Sequence, residues 1–369
     1  MKLKWVEMRE VHMRLLHPFE TSFGREEEKV FLLLAVSNGE TVGWGECAAM
    51  DAPLYNEETT AGAALVIRDH IVPRLWGDLE GPEDVYERLQ PIRGNALAKA
   101  AVEEAVWDLF ARCEGQSLAV ALGAEREKVP VGVSLGIEEK LGDLLAAVEE
   151  RLAEGYARIK VKIKPGWDVR IVEAIRERFG DIPLQVDANS CYTLSDLPML
   201  RALDRFGLLL IEQPLAHDDI IDHARLQREL RTPICLDESI RSAEDARKAI
   251  EIGAMRVLNV KVGRLGGLAE SRRAVEVCRD AGVGAWCGGM LESGVGRSIN
   301  LAIQSLPGFT LPSDTSATSR YWEEDLTEPP VVVEPGGLVQ VPNGAGLGVE
   351  IIPERLERRT FARERWLRP

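Results

Sequence analysis

From Val129 onward, short apolar runs alternate with segments whose apolar residues recur at helical spacing. The runs predict strands near 129–135, 157–163, 183–187, 208–212, 233–237, 257–261, 283–288 and 309–312. The segments between them predict helices near 138–155, 168–179, 195–206, 219–230, 242–253, 267–282 and 294–306. Ser195 and Ser242, each with an acid close behind, are the expected N-caps of two of these. Eight strands alternating with helices predict an α/β fold of TIM-barrel type. Catalytic residues then belong at the C-terminal ends of its strands.

The pattern differs on either side of this stretch. Runs at Leu3–Leu16, Val30–Ser37 and Thr41–Cys47 predict strands, with a hairpin signal at Ser37-Asn38-Gly39-Glu40. Residues 57–122 read as helices, most clearly Asn95–Glu114, where Val102, Val106, Leu109 and Phe110 share a face. Strands followed by helices predict an α+β domain over 1–125, ahead of the barrel at 126–319. After Asp314 the alternation stops. The tail, 320–369, carries the β-like pieces VVVE and GLVQV and a turn at Pro335-Gly336-Gly337, and is expected to pack back on the first domain. Gly344-Ala345-Gly346-Leu347-Gly348 resembles half a dinucleotide fingerprint. No helix follows it and Pro353 intrudes, so it reads as a turn.

Composition narrows the function. A hydrophobic fraction of 45% and a charged fraction of 28% over 369 residues are those of a globular protein. A net charge of −15 argues against nucleic-acid partners. It leaves an anionic substrate open, because a bound metal can dominate its local field. The six cysteines are scattered, with no CxxC, which argues against structural zinc. With no secretory signal and no apolar stretch of membrane-spanning length, the expectation is a cytoplasmic protein with reduced thiols and no membrane partner.

The strand ends carry the chemistry. Lys162, Asp187, Glu212 and Asp237 recur at intervals of 25 residues, and Lys261 follows 24 later. Each lies at or just beyond the end of an apolar run: ARIKVKI, PLQVDAN, LLLIEQP, PICLDES and RVLNVKV. The spacing gathers three carboxylates and two lysines at one mouth. Three such acids would repel one another unless a cation sat among them, and they suit a hard divalent ion such as Mg²⁺. Lysines flanking that ion suit proton transfer next to carbon.

Lys160/Lys162, Asp187, Glu212, Asp237 and Lys261 together resemble the pattern of the enolase superfamily, muconate-lactonizing subgroup. RIKVKIKPGWD, LQVDAN, LLLIEQPL, PICLDES, WCGGMLESG and FTLPSDTSA are similar to its o-succinylbenzoate synthase / N-acylamino acid racemase branch. The resemblance runs along essentially the whole chain. It implies a modified (β/α)₇β barrel under an N-terminal capping domain that the C-terminal segment completes. It implies Mg²⁺, with Mn²⁺ or Co²⁺ as substitutes, on Asp187, Glu212 and Asp237. A substrate carboxylate would chelate that metal, which stabilises the enediolate formed when the α-proton leaves. Lys162 and Lys261 would be the catalytic pair, approaching from opposite sides. Lys160 is expected as a supporting charge whose repulsion depresses the pKa of Lys162. Family members are commonly homo-oligomers, often octamers, so a homo-oligomer is implied here.

Other positions have two readings. Glu238 either points away from the site or orients Lys261. Asn189 is a site contact or a turn residue. Arg264 either lowers the pKa of Lys261 by charge repulsion or sits at the surface. Phe19, Phe23 and Met50 line an apolar substrate pocket or pack between domains. Ser134, Gly288, Gly289, Met290 and Asp314 lie at other strand ends as substrate contacts, although a tight turn would also explain the glycines. The five histidines show no ligand spacing, and only His217 falls near the mouth. The leading expectation is a synthase step of menaquinone biosynthesis with racemase activity. Alternatives are dipeptide epimerase, muconate cycloisomerase, or a barrel that binds without chemistry. Epimerases of this family carry an Asp-x-Asp pair after the last barrel strand. Leu311-Pro312-Ser313-Asp314-Thr315 lacks it.

Overall fold

The computed structural model describes residues 1–369. Strands β1 (Trp5–Glu20), β2 (Arg25–Ser37) and β3 (Val42–Cys47) form an antiparallel sheet. The turn between β2 and β3 falls at the predicted hairpin. Asn38 Oδ1 accepts hydrogen bonds from the amides of Glu40 (3.0 Å) and Thr41 (2.9 Å), and Gly39 takes φ +101°. The run Phe31–Val36 is apolar at every position because both faces of β2 are covered. Leu32, Leu34 and Val36 join the core under helix Ala96–Cys113, while Phe31 and Leu33 join the larger core shared with the barrel. That helix lies so close to β3 that a Cβ on Gly43 or Gly45 would collide with the carbonyls of Ala105 and Ala101.

Seven parallel strands follow: β5 (Val133–Leu135), β6 (Ile159–Lys162), β7 (Leu184–Asp187), β8 (Ile211–Glu212), β9 (Ile234–Leu236), β10 (Val257–Val260) and β11 (Gly284–Cys287). They lie side by side in chain order, each followed by helix. The eighth position is not a regular strand, contrary to the reading of 309–312, because Pro312 has no N–H to give. Residues 310–314 nevertheless close the ring. Thr310 and Asp314 donate to Ala285 and Cys287 of β11, both at 2.9 Å. On the other side Ser313 donates to Pro130 (3.0 Å) and accepts from Gly132 (2.7 Å). This is the (β/α)₇β arrangement, with its last strand reduced to an extended segment.

Three local readings are corrected. The run 129–135 is two pieces. β4 (Lys128–Pro130) pairs antiparallel with β13 (Leu338–Gln340), and only β5 belongs to the barrel. GLVQV therefore pairs with β4 in a separate two-stranded sheet rather than with the sheet of the first domain, and VVVE forms no strand. Thr193, not Ser195, caps its helix, in a capping box with Asp196, whereas Ser242 Oγ accepts from Asp245 N at 3.0 Å as expected.

Past the short pair β12 (Thr327–Glu328) and β14 (Glu350–Ile351), the chain ends in β15 (Thr360–Leu367). β15 adds to the outer edge of β1, with Trp5 opposite Leu367 and Val11 opposite Thr360. Gly346 and Gly348 sit at positive φ in the turn-rich stretch before β14. No helix is long and apolar enough to cross a membrane, and all six cysteines are free.

Candidate active site

The two-residue period of a strand decides which side chains face the barrel axis. On β6, Ile159 and Val161 join the main core, while Lys160 and Lys162 turn inward. Register then aligns the mouth: Lys162 is level with Asp187, and Asp187 with Glu212. Glu212 pairs with Cys235, so Asp237 stands two residues further toward the C-terminal end. The floor is a separate apolar cluster of Leu210, Cys235, Val257 and Trp286.

Each carboxylate holds an ammonium or a guanidinium. Lys162 Nζ lies 2.6 Å from Asp187 Oδ2 and donates to Asn189 Oδ1 at 2.8 Å. Lys261 Nζ lies 2.8 Å from Asp237 Oδ2, over the ring of Tyr55 at 4.2 Å. Lys160 Nζ reaches Asp314 Oδ2 (2.5 Å), Glu212 Oε2 (3.2 Å) and Asp187 Oδ2 (3.6 Å). Burial alone would lower the Lys160 pKa, but Asp314, Glu212 and Asp187 outweigh it and hold the group above its ordinary value. Lys261 is likewise raised: burial opposes the shift, and Asp237, Tyr55 and Glu238 overcome it. The charge repulsion expected of Arg264 is present, and the surface alternative is corrected. Arg264 is not at the surface; it is 3% exposed, on the short helix Val262–Leu265, and bonded to Asp237 and Ile240 O. Its charge pushes Lys261 downward, but Asp237, shared by both cations, decides the net direction. The expected repulsion from Lys160 is also blunted, because that ammonium is neutralised by three acids.

Glu238 faces the site. Its Oε1 accepts from Asn189 Nδ2 at 3.1 Å, and burial followed by Asp237 and Asp187 pushes its pKa up to about 7. Asn189 therefore bridges Lys162 and Glu238. Phe19, Ser134, Gly289 and Asp314 line one cavity of about 60 Å³ together with Lys160, Lys162 and Lys261. Phe23 opens instead on a neighbouring cleft with Tyr55, Asn189, His217 and Glu238. Met50 pairs with Thr59 in an isolated bridge and, like Met290, is not among the residues lining the cavity. Gly288 is required by packing: a Cβ there would collide with the Asn259 amide. Asp314 is tied to Lys160 and to Arg158 Nη1 (2.8 Å), which pulls its pKa down to about 2 against the effect of burial.

Sequence reasoning missed Tyr55, Asn259, Arg158 and Arg297. Asn259 Nδ2 bonds Glu212 (2.6 Å) and Asp237 (3.3 Å), and Tyr55 OH donates to Asp237 Oδ1 at 2.8 Å. Asn259 and Arg158 each stand two residues before a lysine of the site, so strand alternation signalled both. Tyr55 comes from a loop of the first domain and carried no such signal.

No three acidic, histidine or cysteine groups converge as metal ligands would, since ammonium groups fill the space between the acids. The donor set still fits a divalent cation. Asp187, Glu212 and Asp237 are buried, hard and side by side. Burial, Asp187 and Asp237 push the Glu212 pKa up to about 8, a crowding that two positive charges would relieve.

Residues 143–355 match the enolase C-terminal domain-like family model. Residues 5–123 match that of the mandelate racemase / muconate lactonizing enzyme N-terminal domain. The chain belongs to this family, within the enolase superfamily. Enzymes of that superfamily use a divalent metal. An o-succinylbenzoate synthase from Geobacillus kaustophilus is 50% identical over 97% of this chain and 96% of that protein. An N-succinylamino acid racemase from Thermus thermophilus is 50% identical over 98% of both. A solved enolase-superfamily structure from Listeria innocua superposes over 100% of both chains with a TM-score of 0.97 at 39% identity.

Proposed function

We propose that this enzyme is an o-succinylbenzoate synthase that also racemises N-acylamino acids, N-succinylamino acids among them. The observation that carries the reading is the pair Lys162 and Lys261. They are buried on β6 and just after β10, with Asp187, Glu212 and Asp237 at the ends of the strands between them. Mg²⁺, or Mn²⁺ or Co²⁺ in its place, held by those three acids would stabilise the negative charge that develops on a substrate carboxylate.

In the synthase direction, Lys162 takes the α-proton and returns it to the departing hydroxyl on the same face, so water leaves. Lys261 needs only its positive charge, and its pairing with Asp237 supplies a fixed cation. Racemisation asks more: one lysine removes the proton from one face and the other delivers a proton to the opposite face. Lys160, paired with Asp314 and Glu212, balances charge beneath the site rather than acting as base. The dipeptide epimerase reading loses support because Asp314 is committed to Arg158 and Lys160. The site calls for a small carboxylate as substrate. Six free cysteines support a reducing, cytoplasmic setting.

The test compares kcat/KM for the synthase substrate with that for N-succinylamino acids, alongside exchange of their α-protons with solvent deuterium. Turnover of neither, with no exchange, would sink the reading.

A further inference from the structure

Arg297 sits in the fourth position of helix Gly294–Gln304, which follows β11. It is 2% exposed and lines the same cavity as Lys160, Lys162 and Lys261. It has no ion pair within 4.0 Å, and its Nε and Nη2 have no hydrogen-bond partner. Asp325, whose carboxyl feels the Arg297 charge without forming an ion pair with it, spends one oxygen on the amides of Gly294 and Leu326 and leaves the other unbonded. The Arg297 Cζ lies 5.6 Å from the centre of the Tyr321 ring, so an aromatic ring backs the charge without satisfying its N–H groups. A buried guanidinium in this condition is costly unless something else accepts from it.

Two more donors share the cavity wall. Ser134 Oγ and Thr315 Oγ1 are buried and equally unpartnered. One face of the cavity thus offers a fixed positive charge and two hydroxyls. Two acids share the lining: Asp314 is paired with Lys160 (2.5 Å) and Arg158 (2.8 Å), and Glu292 has one oxygen held by Asn300 Nδ2 at 3.0 Å. The three acids Asp187, Glu212 and Asp237 stand on β7, on β8 and just past β9, away from β11 and the segment carrying Thr315 in the strand order.

We propose that Arg297, with Ser134 and Thr315, forms an anion subsite for the carboxylate at the far end of a succinyl chain. This rests on the function proposed above, in which both the synthase product and the racemase substrate carry a succinyl group. That group ends in a carboxylate two methylenes from a carbonyl. One carboxylate of such a molecule goes to the three acids and their cation, and the other to Arg297. The planar guanidinium takes a carboxylate through paired N–H bonds. The chain between the two ends would then be measured by the width of the barrel mouth.

The experiment uses the intact enzyme with Mg²⁺ and two substrates, N-succinyl-L-phenylalanine and N-butyryl-L-phenylalanine. The butyryl chain places a methyl where the succinyl chain has its terminal carboxylate. Arg297→Gln is expected to lower kcat/KM for the succinyl substrate roughly 10- to 100-fold while the butyryl substrate stays within about threefold. Arg297→Lys should recover part of that loss. Thr315→Val, a gentler change, should show the same selectivity at smaller size. Equal losses on the two substrates in both Arg297→Gln and Thr315→Val, or no loss in either, would overturn the subsite. If the wild-type enzyme racemises neither compound, the racemase part of the proposed function has failed on its own. Calorimetric binding of the pair then decides the subsite: a succinyl preference that Arg297→Gln abolishes supports it, and an unchanged or absent preference overturns it.

Discussion

At the scale of single residues, Asp187, Glu212 and Asp237 differ in their partners, and their variants should report it. Asp187→Asn, Glu212→Gln and Asp237→Asn are each expected to cut turnover by at least about a hundredfold, because a neutral amide is a poor ligand for a hard divalent ion. Titration of activity with Mg²⁺ checks this: near-normal turnover without added metal would remove that residue from the site. The lysines should separate. Lys162→Ala is expected to abolish dehydration, and each single lysine variant to lose racemisation while keeping deuterium exchange from one enantiomer. Comparable dehydration by Lys162→Ala would reassign the base. Arg264 shares Asp237 with Lys261 and also donates to Tyr55 OH at 3.3 Å. Arg264→Gln would remove the guanidinium that competes with Lys261 for Asp237 and pin that lysine in its charged form. Racemisation, which needs Lys261 to give up its proton, should therefore fall more than dehydration, which does not. Parallel kinetics on the two substrates read the difference, and equal losses would make Arg264 a structural residue. The spacing of Lys162, Asp187, Glu212, Asp237 and Lys261 made the metal and proton-transfer groups legible in the sequence. What stayed hidden was pairing across the barrel. Asp314 looked like a substrate contact by position, and only the approach of Arg158 and Lys160 shows it already engaged.

Elements were legible where one face was buried and illegible where backbone partners came from afar. Helix Ala96–Cys113 and the β2–β3 hairpin follow their local signals closely. The segment 310–314 does the work of a strand without a strand's ladder, because Pro312 breaks the donor pattern while residues around it still bond both neighbours. No local rule predicts that closure. Likewise the stretch 129–135 divides because β13, some two hundred residues later, captures its first half. Close helix–sheet contact gives a prediction at this scale. Gly43→Ala and Gly45→Ala each force a methyl into the backbone of helix Ala96–Cys113 and should cost about 1–3 kcal/mol or more. Urea denaturation measures it. An unchanged midpoint would show that helix and sheet can part without penalty.

Across the whole molecule, buried carboxylates join the first domain to the barrel. Glu46 on β3 accepts from the amides of Ser293 (3.0 Å) and Gly296 (3.1 Å) at the start of the helix Gly294–Gln304. Glu103 takes the amide of Ala269 at 3.0 Å and that of Leu268, opening another barrel helix. Burial pushes both pKa values up to about 7, and for Glu46 it outweighs the hydrogen bonds that favour the anion. A carboxyl group raised in the folded state gives stability that is full below its unfolded value and is lost as pH rises through the folded one. Each group should therefore cost roughly 3 kcal/mol between about pH 4.5 and pH 7 and above. Thermal melts of wild type and Glu46→Gln across that range test the sign, and the variant should lose less stability on going alkaline. An equal slope would mean that Glu46 stays ionised throughout. The pairing of β15 with β1 bears on how the molecule comes to exist in a cell. During synthesis β1 emerges long before its final partner, so at about 5–20 residues per second the strand waits roughly 20–70 s with one row of amides and carbonyls open. The rest of the sheet and the barrel must form around that open edge. A chain halted by a stop codon before Thr360 carries it permanently, and should leave the ribosome aggregation-prone even though every residue of its catalytic mouth has been made.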